Sequence, residues 1–113
     1  LKSLRESQPN LSNLDDEHFL LTYWFSPGPQ FETPAEINAI SKLGGDCVGM
    51  TLVPEAKLMA EKEHKFSAIL IAGNHAAGLD PSNPNAKLDH NEISSKATSK
   101  SNPVWYSISK LFT

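Results

Sequence analysis

A single cysteine, Cys47, in 113 residues excludes an intrachain disulfide and fits a reducing compartment. Its neighbours Val48 and Gly49 mark it as a small core hydrophobe rather than a reactive thiol. Long apolar runs are also missing. The longest, Ala68 to Ala72 with Phe66 just before it, falls far short of the roughly 20 residues a spanning helix needs, so membrane insertion is not expected. There is no excess of positive charge. A net charge of −3 and a pI near 5.7 leave no electrostatic footprint for nucleic acid. Internal repeats, low-complexity tracts, P-loop or dinucleotide glycine motifs and a GxSxG elbow are all lacking. His18, His64 and His75 have no metal-ligand spacing and Cys47 stands alone, so no metal site is expected. The chain opens at Leu1 without an initiator methionine, signal peptide or transit segment. The expectation is a cytoplasmic protein of which these residues form part of a longer polypeptide.

What is present is ordinary globular composition, 39% hydrophobic and 20% charged, and the length of one small domain spanning residues 1–113. The densest local grammar lies in Gly28-Pro29-Gln30-Phe31-Glu32-Thr33-Pro34-Ala35-Glu36. Gly28 and Pro29 form a turn. Thr33 suits a helix N-cap, Pro34 the first helical position, and Glu36 closes a capping box. A helix start of this kind holds Glu32 in one orientation instead of leaving it on a mobile loop.

Upstream, residues 1–18 carry Leu1, Leu4, Leu11 and Leu14 among polar groups and fit a short frayed helix and a loop. Residues 19–25, FLLTYWF, read as a buried strand ended by Pro27-Gly28-Pro29, with Tyr23 and Trp24 in the core. A helix over 33–43 follows, with Ile37, Ile40 and Leu43 on one face and Gly44-Gly45 as its stop. Cys47-Val48-Gly49-Met50 reads as a short strand. A second helix from Pro54 turns Leu58 and Met59 inward and Lys57, Glu61, Lys62 and Glu63 to solvent. FSAILIA at 66–72 has the pattern of a strand covered on both faces. Residues 78–88 form a Pro/Asn/Asp-rich loop. Asp89 then caps a C-terminal helix carrying Ile93 and Ala97, broken at Pro103 before a stripe of Trp105, Ile108 and Leu111.

This order predicts an α/β fold built from βαβ units. In open α/β sheets ligands sit beyond the carboxyl ends of strands. The three ends carry Gly28 to Glu32, Met50-Thr51 and Gly73-Asn74. Glu32 can accept a hydrogen bond from a ring N–H, Phe31 offers a face to a flat ligand, and Asn74 supplies a planar donor and acceptor. Together they suit a heteroaromatic base. Met50 is a compliant surface for a sugar ring, and the Thr51 hydroxyl with nearby backbone N–H groups suits an anion such as phosphate. Each residue also has an ordinary structural role: a surface Glu, a turn-forming Asn, an N-cap Thr, a capping His at position 90. Taken one at a time, they leave both readings open.

Four motifs occurring in one order remove part of that ambiguity. GPQFETPAE, KLGGDCVGMTLVPEAKLMA, AGNHAAGL and LDHNEI resemble the C-terminal part of the trimeric purine nucleoside phosphorylases, a family that includes xanthosine- and methylthioadenosine-cleaving relatives. The resemblance covers about residues 19–95. It implies a three-layer phosphorylase-type fold with a central mixed sheet, of which this chain holds the C-terminal βαβαβ-loop-α portion. It also implies a transferase: phosphate attacks the anomeric carbon of a purine nucleoside, releasing free base and ribose 1-phosphate through a transition state of oxocarbenium character. No cofactor is implied beyond inorganic phosphate as co-substrate, and the assembly implied for a complete domain is a homotrimer.

By resemblance, Phe31 packs on the base, Glu32 takes the N1 proton, and Asn74 bonds the N7/O6 edge. Val48 and Tyr23 line and support the base pocket, the Gly49-Met50-Thr51 turn places Met50 under the ribose and Thr51 on phosphate, and His90 holds the 5′-hydroxyl. Asn at 74, where the methylthioadenosine branch has Asp, favours 6-oxopurines. The departures are Thr51 for a usual Ser, Gly73 for a frequent Thr, Ala60 for a common Arg, and Glu63 for the Gly that ends the second helix. The family's upstream glycine/serine phosphate loop and its phosphate-binding Arg and His have no counterpart here. The competing expectation is therefore a non-catalytic remnant that binds a purine or forms an oligomer contact; a ligand-free α/β domain is disfavoured by the motif order.

Overall fold

Thr33, Pro34 and Glu36 form the capping box their spacing predicts. In a computed structural model that describes residues 15, 20–99, 104, 108 and 109, the Glu36 N–H donates to Thr33 Oγ1 at 3.3 Å, while the Thr33 N–H and hydroxyl donate to Glu36 Oε2 at 2.7 and 2.8 Å. Helix α1, Pro34–Lys42, starts there with proline in its first turn. Ile37 and Ile40 lie on its inner face and are the buried hydrophobic residues of the described chain. Burying such a side chain contributes roughly 1.5–3 kcal/mol. Leu43 does not extend that stripe. It is the C-cap and 70% exposed, because the helical period ends one residue before it.

Helix α1 crosses over between two strands, β1 at Tyr23–Phe25 and β2 at Cys47–Gly49. They pair in parallel, with Tyr23 opposite Cys47, Trp24 opposite Val48 and Phe25 opposite Gly49. Asp46 fixes this register from one end. Its carboxylate accepts the Thr22 N–H at 2.8 Å, and the N–H groups of Asp46 and Cys47 share the Thr22 carbonyl. At the other end Ser26 N–H donates to Gly49 O at 3.0 Å. Helix α2, Val53–Glu61, follows, and α3, His90–Ser99, closes the series. Asp89 Oδ1 accepts the N–H groups of Asn91 and Glu92 at 2.9 and 3.0 Å, which is the expected cap.

The α/β class and the βαβ unit agree with the sequence, and several details are corrected. The strand expected over 19–25 is confined to three residues, and Leu20 and Leu21 are exposed, at 75% and 54%. Leu58 does not face a core, since no residue of α2 is buried. The strand expected over 66–72 is not formed. Among the described residues the sheet has only β1 and β2, and Phe66, Ile69 and Leu70 are each more than 40% exposed. An all-apolar segment becomes a strand when a neighbour takes its backbone hydrogen bonds and layers cover both faces, and neither condition is met there. Residues 1–14, Pro103, Trp105 and Leu111 lie outside the described residues.

The chain divides into two units. One is Leu21–Ala68 with Asn74–Leu88; the other includes Ile69–Gly73 and the described residues from Asp89 onward. The first holds the sheet, α1 and α2. In the second, Gly73 lies against Ile93 of α3, where an added Cβ would come within 3.0 Å of Cγ2. Among the described residues, no helix is long and apolar enough to cross a membrane.

Candidate functional site

The site belongs to the first unit and forms where β1 and β2 end. After β1 the chain turns at Gly28, whose φ of +71° suits glycine, and runs through Phe31 and Glu32 into the capping box. Both residues are half-buried. Glu32 Oε1 is shielded from solvent and has no hydrogen-bond partner, the only buried side-chain polar atom so placed among the described residues. A shielded acceptor without a donor costs about 1–3 kcal/mol, and a bound ligand, water or ion is what supplies a donor to such a group. The residue is held there because Thr33, its neighbour, is locked by the capping box.

After β2 the chain turns through Met50 and Thr51. The two turns meet: an added Cβ at Gly28 would lie 2.8 Å from Met50 Sδ. The Tyr23 hydroxyl donates to Thr51 O at 3.0 Å and accepts the Thr51 N–H at 3.3 Å. Gly49 makes room for it, because a Cβ at that position would collide with Tyr23 Oη. Val48 is half-buried in β2 opposite Trp24. Thr51 is exposed. It is not the cap of α2, since that position is Leu52 and no side-chain cap bond is made, so the hydroxyl is not consumed by the helix.

Asn74 belongs to the same unit. It is exposed, and its Nδ2 donates to the His75 carbonyl at 2.6 Å, so an amide proton is spent on the backbone while Oδ1 is left as the group able to accept from a ligand. The loop beyond it returns to the start of α1, where an added Cβ at Gly78 would sit 3.1 Å from Pro34 Cβ. His90 is the exposed first residue of α3 in the other unit. The structure thus brings Tyr23, Phe31, Glu32, Val48, Gly49, Met50, Thr51 and Asn74 into one unit and puts His90 in the second.

Burial, together with the negative charge of Asp46, pushes the Cys47 thiol up from its ordinary value. Its Sγ points to the Thr22 carbonyl at 3.8 Å, which fits a packing role rather than a nucleophile. Among the described residues no group of three His, Cys, Asp or Glu could hold a metal ion. Sequence reasoning missed two contributors. Asp46 had a signal, a carboxylate directly before a strand. Leu52, at φ 76° and ψ −44°, had none, because leucine does not advertise a positive φ.

Residues 4–102 match the Phosphorylase superfamily. The chain belongs to that superfamily. Among curated relatives of the chain, a probable 6-oxopurine nucleoside phosphorylase of Thermococcus kodakarensis is 44% identical over 87 residues, covering 77% of the chain and 31% of the relative. The 6-oxopurine nucleoside phosphorylase of Pyrococcus furiosus is 43% identical over 83 residues, covering 74% and 30%. A probable S-methyl-5′-thioinosine phosphorylase of Methanopyrus kandleri is 52% identical over 58 residues, covering 51% and 23%. The chain therefore spans less than a third of the length of these relatives. No solved structure matches it.

Proposed function

We propose that this chain is the base- and sugar-recognising part of a purine nucleoside phosphorylase, acting in the reversible phosphorolysis of 6-oxopurine nucleosides. The observation that carries the reading is Glu32 Oε1, shielded and without a donor in a motif that is otherwise locked by hydrogen bonds. A 6-oxopurine has an N1–H to donate. Phe31 lies beside that carboxylate in sequence and offers the ring a face. Asn74 Oδ1 accepts from N7 once the departing base is protonated there.

The reaction forms one bond and breaks one. A phosphate oxygen attacks C1′, the C1′–N9 bond breaks, and its electron pair leaves with the purine. Glu32 and Asn74 hold the base as it gains that charge, which is where stabilisation accelerates the step. Met50 supports the ribose, Thr51 contacts the phosphate, and His90 binds the 5′ substituent. Phosphate is the co-substrate and no further cofactor takes part. The remaining anion-binding groups come from outside these 113 residues; the complete assembly is a cytoplasmic homotrimer.

The relatives' names share a 6-oxopurine base and differ at the 5′ position, so S-methyl-5′-thioinosine is the second substrate reading. The short share of the relatives' length also favours a base-binding role without turnover by this chain alone. Two measurements separate these readings. Hypoxanthine binding to the 113-residue chain, lost in Glu32→Ala, supports the base site; no binding overturns it. Phosphate-dependent release of hypoxanthine from inosine, compared with S-methyl-5′-thioinosine, by the complete protein that supplies the remaining anion-binding groups identifies the substrate, and base binding without release there identifies the non-catalytic reading.

A further inference from the structure

The phenol of Tyr23 reaches from β1 across β2 because the parallel register puts Tyr23 opposite Cys47, and Gly49, two residues on, lies on the same face of the strand. Its hydroxyl gives its single proton to Thr51 O and takes the Thr51 N–H. Both backbone polar groups of Thr51 thus meet one side chain 28 residues away in sequence. The Thr51 carbonyl also accepts the Val53 N–H at 2.9 Å. That bond closes a γ-turn through Leu52 at φ 76° and ψ −44°, a conformation costing a non-glycine residue about 1–3 kcal/mol and persisting only where surrounding contacts enforce it. The phenol is the side chain that grips this turn, through both backbone groups of Thr51, while Leu52 O accepts the Ala56 N–H at 2.9 Å. No ordinary cap substitutes for it, since α2 starts without a side-chain cap bond.

We propose that Tyr23 is the positioning residue of the Gly49–Leu52 turn: its hydroxyl holds Thr51 and the strained Leu52 so that the Thr51 hydroxyl is presented to an anion of the inorganic phosphate class. The functional half rests on the reading of Thr51 as a phosphate contact. The tyrosine acts through the backbone and needs no contact with the ligand. Phenylalanine keeps the ring and loses the function; alanine at position 49 keeps the phenol and displaces it.

The test uses the 113-residue chain and backbone amide NMR. In the wild type the Thr51 amide is protected from exchange. In Tyr23→Phe it exchanges about ten-fold faster, the loss of one hydrogen bond's net worth, Leu52 leaves positive φ, and the amides pairing β1 with β2 keep their protection. Gly49→Ala gives the same signature with the tyrosine present, and the double variant adds nothing further, as expected when both changes break one contact. Titration with inorganic phosphate moves the Thr51 amide in the wild type and needs about ten-fold more phosphate in either variant. A wild-type Thr51 amide in rapid exchange, or unaltered exchange in both variants, overturns the clamp. Absence of any phosphate shift in the wild type, with the exchange signature intact, overturns the phosphate reading of Thr51 and leaves the clamp standing. Global unfolding of Tyr23→Phe leaves Gly49→Ala and the wild-type exchange rate to decide.

Discussion

Gly28 lies so close to the Met50 thioether that a β-carbon at position 28 would stand 2.8 Å from Sδ. The turn after β1 and the turn after β2 are therefore packed on each other through a glycine and a methionine. Gly28→Ala faces two separable costs. The steric one is small, because Sδ is near the end of a flexible side chain. The backbone one, at φ +71°, is about 1–2 kcal/mol. Chemical denaturation should show a loss of that size in Gly28→Ala, and Met50→Ala in the same chain should relieve only the smaller part. A ribose-binding Met50 would also show weaker nucleoside binding in Gly28→Ala with base affinity retained.

Glu32 is expected to separate binding from stability. Replacing it with alanine removes the shielded, unpartnered Oε1 and with it a desolvated acceptor, so the folded chain should be unchanged or up to about 1 kcal/mol more stable. The same substitution should abolish hypoxanthine binding. Glu32→Gln, with the same shape and no charge, should fall between the two. A destabilised Glu32→Ala chain would mean that the carboxylate contributes to the fold, and the site reading would lose its main support.

How much of this could be read from the amino acids depends on the range of the interaction. Thr33, Pro34 and Glu36 act within four residues, and their cap was legible as local chemistry. The βαβ unit was legible because β1, α1 and β2 carry their own start and stop signals. The segment 66–72 was misread because apolar composition describes a strand's surroundings, and its partners are not among the described residues. The contact of Tyr23 with Thr51 was not legible either. It crosses 28 residues and depends on a register that exists only after the strands pair. Glu32 was found by motif, but its lack of a donor is a property of the folded chain alone.

The capping box predicts a specific acid limb. The Thr33 backbone N–H, and after it the Thr33 hydroxyl, hold the Glu36 carboxyl below its ordinary value of 4.5. A carboxyl with a lower pKa when folded stabilises the protein above its unfolded pKa, and the contribution is lost as pH falls through the folded value. Glu36 is fully exposed, so the effect is local and screened. Denaturation midpoints measured from pH 7 down to about pH 3, spanning the usual carboxylate range, should fall less steeply for Glu36→Gln than for the wild type. Gln retains part of the box, so the two should differ mainly in slope. Parallel curves would remove Glu36 from the acid response. Asp80, held low chiefly by the Ser82 hydroxyl and backbone N–H, should behave in the same sense and independently.

The two helices of the first unit end in the same backbone motif with different residues at its key position. After α1, Gly44 N–H bonds Ser41 O and Gly45 N–H bonds Ile40 O, both at 3.0 Å, with Gly44 at φ +90°. After α2, Glu63 N–H bonds Ala60 O at 3.0 Å and His64 N–H bonds Met59 O at 2.9 Å, with Glu63 at φ 55°. Each is the paired-bond helix terminus that asks for a left-handed residue. Gly44 meets the request without a side chain, whereas Glu63 holds a conformation costing an L-residue about 1–2 kcal/mol. The motif survives in α2 because its hydrogen bonds outweigh that strain. Glu63→Gly should therefore raise stability by about 0.5–1 kcal/mol, after the greater entropy of unfolded glycine is subtracted. Gly44→Ala should lower it by about 1–2 kcal/mol, and the two effects should add, because the sites share no partner. Thermal and denaturant unfolding of the two single variants and their combination measure this directly. A Glu63→Gly chain no more stable than the wild type would show that the carboxylate side chain contributes contacts equal to the strain it imposes.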